Sequence, residues 1–366
     1  MSDFSERNFI VGIFGENKEL NNRIGQAIGS PGTKSDIQFY NRLDSELNQV
    51  FCALTPLDYP EKIKPLLQSL TLTNIHLLIV DLNIGLNATI GELIVAIDLF
   101  HQLYNTEVLI IVDGINSKTE WKLSEVRKKI TQLTETTSFK NAELFEIKTK
   151  EDFHLLKQKI IKLGIKLAEQ EPTGSNITKI LIDHAFPVKG IGTVILGIVK
   201  EGKVTAGQML ELSGYDGPSK KVIVRSIQKH DRDFKEAYQG DRVGLALKGN
   251  IAPNEISRDN FLISHGSYKP ETEIKARVSL NEYFKPKDKY IKPGNGIQFN
   301  ALVDVKLSPF KFIKGDDLYP GKTAEATLKF DKLLYHTGNG LRGIIADLNK
   351  FENKLRIVGS FSQISY

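Results

Sequence analysis

One cysteine, one tryptophan and two methionines serve a chain of 366 residues. A lone Cys52 excludes an intramolecular disulfide framework and any multi-cysteine metal site, and it fits a reducing compartment. No apolar run approaches the ~20 residues of a membrane span. The longest, such as Ile75 to Leu82, are of strand length. No basic-then-apolar leader opens the sequence, so a cytoplasmic protein is expected. His76, His101, His154, His230, His265 and His336 are scattered without metal-ligand spacing, and there is no serine elbow. Neither a catalytic residue nor a metal site is expected.

Hydrophobic residues make up 40% and charged residues 25%, the balance of a globular protein long enough for two or three domains. The formal net charge of +5 is unevenly placed. Residues 1–172 carry 19 Lys and Arg against 23 Asp and Glu, while the remainder carries 30 against 21. A basic C-terminal part suits a polyanion; a solvated lysine-rich surface would give the same count.

Residues 9–172 alternate short apolar runs (9–14, 50–54, 75–81, 108–113 and 144–147) with helical spacing at 22–28, 60–70, 91–104, 124–133 and 152–169. That rhythm predicts a parallel sheet covered by helices. The polar stretch 171–176 reads as a linker. Beyond it the helical period vanishes. Strand-like runs at 179–185, 192–199, 209–212, 221–229 and 242–247 suggest a closed barrel, and a second β-rich block follows with runs at 273–280, 296–306, 323–330, 343–348 and 354–360. The expected fold class is multidomain α/β plus β, with domains at 1–172, 173–265 and 266–366.

The richest segment is Ile182 to Gly202, with Asp183-His184, then Lys189-Gly-Ile-Gly-Thr-Val194. Ile180, Ile182, Val194, Leu196 and Ile198 alternate as in half-buried strands, and Gly190, Gly192 and Gly202 permit tight turns. This segment resembles the start of the second domain of translational elongation factors, and most of all SelB, the factor for selenocysteyl-tRNA. The resemblance extends to archaeal SelB-like paralogues proposed for pyrrolysyl-tRNA. It implies a P-loop-GTPase-like domain followed by two β-barrels. SelB proteins carry a further C-terminal domain that these residues do not supply.

In that family the first strand leads into Gly-His-x-Asp-x-Gly-Lys-Thr/Ser, whose lysine neutralises phosphates and whose hydroxyl ligates magnesium. The matching segment keeps Gly15, but Leu20, Asn21 and Asn22 stand where the second glycine, the lysine and the hydroxyl belong. Glu16 and Glu19 add negative charge beside any phosphate, and Lys18 and Arg23 are the available substitute cations. The Asp-x-Pro-Gly-His motif is reduced to Leu54-Thr-Pro-Leu-Asp58. The guanine-reading Asn-Lys-x-Asp aligns with Asp113-Gly-Ile-Asn116, which exchanges its carboxylate for an amide. Gly15, Asp81 and Asp113 therefore read as strand-end turn residues in an inherited scaffold. No cofactor is expected, with GTP and magnesium relevant only if this degenerate site still functions, and GTP hydrolysis is expected to be lost.

The resemblance also implies a pocket for the esterified amino acid, formed by Asp183, His184 and the Arg242 of Gly240-Asp241-Arg242. An imidazolium and a guanidinium would hold a selenolate, with Asp183 orienting His184. Lys285, Lys287, Lys289 and Lys292, interleaved with Tyr283, Phe284 and Tyr290, are candidates to track RNA backbone, as is Arg356 on an alternating strand. The implied partners are aminoacyl-tRNA and the ribosome, without membrane or DNA. Two alternatives stay open: a translation-associated scaffold with an inert G-like domain, and a divergent GTP-binding factor.

Overall fold

The computed structural model describes residues 8–44, 49–169, 176–215, 218–336, 340–348 and 355–364. The expected linker falls almost wholly outside them. Two compact units emerge: Met1–Gln170 with Lys350–Arg356, and Glu171–Asn349 with Ile357–Tyr366.

The first unit runs β1 (Asn8–Gly15), α1 (Lys18–Ile28), β2 (Ser30–Lys34), β3 (Ile37–Asp44), β4 (Gln49–Pro56), α2 (Ile63–Leu72), β5 (Ile75–Asp81), α3 (Ala88–Tyr104), β6 (Glu107–Asp113), α4 (Leu123–Thr134), β7 (Glu143–Glu146) and α5 (Asp152–Glu169). The sheet order is β2-β3-β4-β1-β5-β6-β7. Strands β4, β1, β5, β6 and β7 are mutually parallel, and β3 and β2 add an antiparallel edge. The sheet is thus mixed rather than wholly parallel. The central strands are apolar at successive positions because both faces are covered. Val11, Ile13, Leu77 and Ile79 meet Leu20 and Ile24 of α1 and Leu156 and Ile160 of α5 in one cluster. On the alternate positions, Phe14 and His76 meet edge-on, and His76 meets Phe100 of α3.

The second unit holds both barrels. In the first, β8 (Lys179–Val188), β9 (Gly192–Glu201), β11 (Met209–Ser213), β12 (Lys220–Lys229), β15 (Arg242–Lys248) and β16 (Phe261–Ser264) run in the order β11-β16-β8-β9-β15-β12, and β12 pairs back to β11. The short strands β10 (Lys203–Thr205), β13 (Arg232–Phe234) and β14 (Glu236–Tyr238) lie outside that ring. The second barrel closes in the order β17-β20-β19-β18-β21-β22, with β17 (Lys269–Leu280), β18 (Gln298–Val303), β19 (Lys306–Gly315), β20 (Thr323–His336), β21 (Arg342–Ala346) and β22 (Ile357–Gln363). The run expected as one strand at 296–306 is split, because Asp304 turns with φ 53°. Closure leaves no unpaired edge in either ring.

The Asp304 turn joins the two barrels. Lys179 Nζ lies 2.6 Å from Asp304 Oδ2, and Lys306 Nζ donates to the Gly214 carbonyl at 2.8 Å. Val305, between them, is fully buried. Burial pushes the Lys179 ammonium down, but Asp304 and Glu201 outweigh it and hold its pKa above the ordinary lysine value. Lys200 has the opposite balance. Burial, with smaller pushes from Lys179 and Arg342, brings it to about 8 against the pull of Asp304 and Glu201.

Two outcomes follow. Asp304→Ala leaves the buried Lys179 ammonium with only Glu201, 3.8 Å away, to compensate it, so the barrel unit should lose about 3 kcal/mol in a denaturant titration. Lys200→Met removes a charge that folding desolvates. Since the folded pKa of Lys200 lies below its unfolded value, the parent bears that cost below pH ~8 and sheds it as pH approaches ~10. The variant should therefore be more stable at pH 7, by on the order of 2 kcal/mol, and the gain should fade toward pH ~10. A gain independent of pH would show that packing, not charge, decides it.

Candidate functional site

The C-terminal edge of the parallel strands is where the first unit would receive a nucleotide. Here β1 passes into α1 through two residues, Glu16 and Asn17. The Asn17 side chain caps the helix, its Oδ1 accepting from Glu19 N–H at 3.1 Å and Leu20 N–H at 3.2 Å. Those are the donors with which a helix N-terminus would hold an anion. The Asn17 amide donates to Asp81 Oδ2 at 2.7 Å, and Asp81 Oδ1 accepts from the backbone and side chain of Asn83 at 2.9 and 2.8 Å. Asp113 Oδ2 takes Arg23 Nη2 at 2.5 Å, and its other oxygen accepts from Gly114 N–H at 2.5 Å. Glu16 accepts from Asn87, itself the N-cap of α3, at 2.5 Å. Side chains from five elements thus satisfy one another across this edge.

The positions aligned with the phosphate loop lie inside α1, not in a loop. Leu20 is buried in the sheet–helix core. Asn21 is 2% exposed, with its amide donating to the Gly15 carbonyl at 2.9 Å. Asn22 accepts from the Tyr40 hydroxyl at 2.8 Å. Gly15 has a packing reason of its own: a Cβ there would lie 2.6 Å from Asn21 Oδ1 and 2.8 Å from Ile79 Cβ. Neither candidate substitute cation points at an open site. Lys18 pairs with Glu61 at 2.9 Å, and Arg23 is held by Asp113. Asn116 serves its own turn, donating to the Gly114 carbonyl at 3.0 Å and accepting from Lys118 N–H at 2.9 Å. Asn17 was missed in the sequence, although an asparagine before an apolar-periodic run is a helix-start signal. A polar cavity of about 310 Å³, lined by Gln26, Gly29, Pro31, Asn41 and Arg42 among others, lies at the other end of α1.

In the barrel unit the expected pocket residues come together in part. A bulge in β8 between Ile182 and His184 sets Asp183 out of register with β9, and Arg242 lies across β9 on β15. Arg242 Nε donates to Asp183 Oδ2 at 2.9 Å and Nη2 to Oδ1 at 3.4 Å. The Asp183 side chain is fully buried and that of Arg242 is 14% exposed. Asp183 therefore serves Arg242, and the expected orientation of His184 by Asp183 is not what forms. His184 is half-buried, its ring 5.9 Å from that of Phe186, with no hydrogen-bond partner among the described residues. Asp241 fixes its turn from below: Oδ2 accepts from Tyr238 N–H at 2.9 Å and takes the buried Lys229 ammonium at 3.1 Å. Lys229 also sits 4.2 Å above the Phe234 ring. Gly240, at φ 94°, supplies the left-handed residue this turn requires.

Lys285, Lys287, Lys289 and Lys292 are exposed on the loop between β17 and β18. Phe284 and Ile291 anchor that loop in the barrel core, and Ile291 exchanges two 2.9 Å backbone bonds with Leu318. Tyr290 stacks on Tyr319 with centroids 5.2 Å apart. Arg356 departs from expectation. It is 8% exposed, precedes β22, and clusters with the first unit. Its Nε donates to Glu92 Oε1 at 3.1 Å and Nη2 to Glu92 Oε2 at 2.5 Å, while Nη1 donates to the Pro60 carbonyl at 2.9 Å. Three of its five N–H groups are thus committed, and the side chain is buried rather than set on the surface for a phosphate. The sequence could not show this, because Glu92 is 264 residues away.

Comparison with known proteins gives a consistent picture. A family model for elongation factor Tu domain 2 matches residues 192–252. An uncharacterized protein of Methanocaldococcus jannaschii is 33% identical over 288 residues, covering 79% of this chain and 81% of that one. The selenocysteine-specific elongation factor of the same organism is 30% identical over 274 residues, covering 72% of this chain but 56% of its own length. Among solved structures, translation elongation factor SelB from Methanococcus maripaludis in complex with the GTP analogue GPPNHP superposes with a TM-score of 0.80. That match covers 99% of this chain and 80% of the other at 23% identity. A bacterial selenocysteine-specific elongation factor gives 0.78 at 16% identity, covering 98% of this chain and 58% of the other. The chain belongs to one family with the uncharacterized M. jannaschii protein, and it shares the fold of the SelB elongation factors.

Proposed function

We propose that this protein is a SelB-like elongation-factor paralogue that holds a specialised aminoacyl-tRNA on its barrel unit without switching on GTP. The observation that carries the reading is the two-residue Glu16-Asn17 connection, in which a side chain of the protein occupies the helix donors that a phosphate would use. A loop of two residues has no length to wrap phosphates, and Glu16 and Glu19 repel them. The missing lysine and guanine carboxylate would each have made a charge-assisted bond of about 1.5–3 kcal/mol. Losing both weakens binding by roughly a hundredfold to more than ten-thousandfold.

The reading takes Asp183, His184 and Arg242 as the pocket for the esterified amino acid, supported by the Asp183–Arg242 pair, and the exposed lysine loop as the source of cations for tRNA phosphates. The relatives' names point to selenocysteyl-tRNA. Pyrrolysyl-tRNA is the second cargo, favoured by the neutralisation of Arg242 by Asp183, which leaves less positive charge for a selenolate than a free guanidinium would.

The test is protection of the ester bond. With no nucleotide present, the protein should slow spontaneous hydrolysis of one of the two aminoacyl-tRNAs and leave ordinary elongator aminoacyl-tRNAs unprotected. Equal, negligible protection of both esters sinks the proposal. Arg242→Lys keeps the charge but loses the fork that meets both Asp183 oxygens, and should weaken protection about tenfold or more. Unchanged protection in that variant would place the aminoacyl group elsewhere.

A further inference from the structure

Strand β15 carries a glycine that its own backbone does not need. Val243, Leu245 and Leu247 enter the barrel core, so Arg242, Gly244, Ala246 and Lys248 share the outer face. Every other strand glycine among the described residues has a reason in the fold. Gly192 and Gly315 have a positive φ, and at the rest a Cβ would lie within 2.6 Å of a neighbouring atom. Gly244 has neither reason. A Cβ there would meet Leu196 Cδ2 at 3.5 Å and Gln228 Cβ at 3.9 Å, which is ordinary van der Waals contact. A glycine inside a strand costs stability, and one that packing and φ leave unexplained marks a close approach of something else to the backbone.

The neighbours give this notch its shape. Register sets His184 of β8, Leu196 of β9, Gly244 of β15 and Gln228 of β12 in one row across the outer face. Half-buried Leu196 is an apolar wall on one side. Gln228 is the wall on the other, its amide already donating to Asp233 at 2.9 Å. Two residues back along β15, about 7 Å away, the Arg242 guanidinium meets Asp183. The notch therefore opens beside a pair whose charges cancel.

We infer, on the reading of Asp183, His184 and Arg242 as the ester's pocket, that the notch over Gly244 receives the far end of the aminoacyl side chain and selects one that is long, uncharged and largely apolar. A short side chain held beside Arg242 ends before it reaches Gly244 and is indifferent to what stands there. A charged end would meet hydrocarbon on Leu196 and an amide already engaged on Gln228.

The test charges one tRNA body with two uncharged side chains, one short and one long, and reads how far the full-length protein slows hydrolysis of each ester. The parent should protect the long ester better. Gly244→Ala fills the notch in space that the fold leaves open, so the thermal midpoint should hold or rise. Protection of the long ester should drop about tenfold or more while that of the short ester stays, and Gly244→Val should deepen the loss. Equal loss of both esters would assign the notch to the tRNA end itself and overturn the inference. Unchanged protection of both in the two variants would overturn it, as would a parent that prefers the short ester. A fall in the Gly244→Ala midpoint would make the glycine structural, with the same consequence. A parent that protects neither ester is a distinct result, which removes the pocket and the notch together.

Discussion

The side-chain amide of Asn17 is the contact on which the first unit's character depends. A helix start offers a small set of unpaired backbone N–H groups, and they are satisfied either by a ligand or from within the protein. Here Asn17 satisfies two of them and in the same gesture fastens Asp81. The carboxylates at the strand ends follow suit: Asp113 closes on Arg23, and Glu16 on Asn87. In a nucleotide-dependent fold such groups wait for magnesium, phosphate and base. In this chain they are bonded to one another and to the starts of α1 and α3.

The barrels solve their charge problem differently. Asp183–Arg242 and Lys229–Asp241 are buried pairs, and each meets the requirement that a desolvated charge be compensated at close range. Lys179–Asp304 does the same where the two barrels meet, while Lys200 beside it remains incompletely balanced. The excess of positive charge stays on the surface, on the Lys285–Lys292 loop among other places, which suits a polyanion bound to the barrel unit.

Much of this architecture is legible in the sequence, and the failures have physical causes. Period-two alternation marks the start of β9, where one face lies in the barrel core and the other outside, whereas β8 is buried at every position from Lys179 to Asp183. The hairpin of β2 and β3 escaped because Ser30–Lys34 contains Pro31 and Gly32 and is almost wholly exposed, so no alternation is imprinted on it. The end of β18 escaped because its turn rests on Asp304 in a left-handed conformation rather than on glycine. At the site, the loss of the phosphate loop could be read from residue identity. What replaced it could not, since Arg23 and Asp113 lie 90 residues apart, and Asn17 and Asp81 64 apart. Arg356 looked like a strand-borne surface cation for the same reason.

If the strand-end contacts close the nucleotide site, as proposed, neither GTP nor GDP has a place to bind. Calorimetric titration of the purified protein with GTP and with GDP, magnesium present, tests it most directly. No saturable heat is expected at micromolar nucleotide. Saturable micromolar binding of either nucleotide would contradict it, because Asn17 would have to release Asp81 and the helix donors, and Arg23 would have to release Asp113.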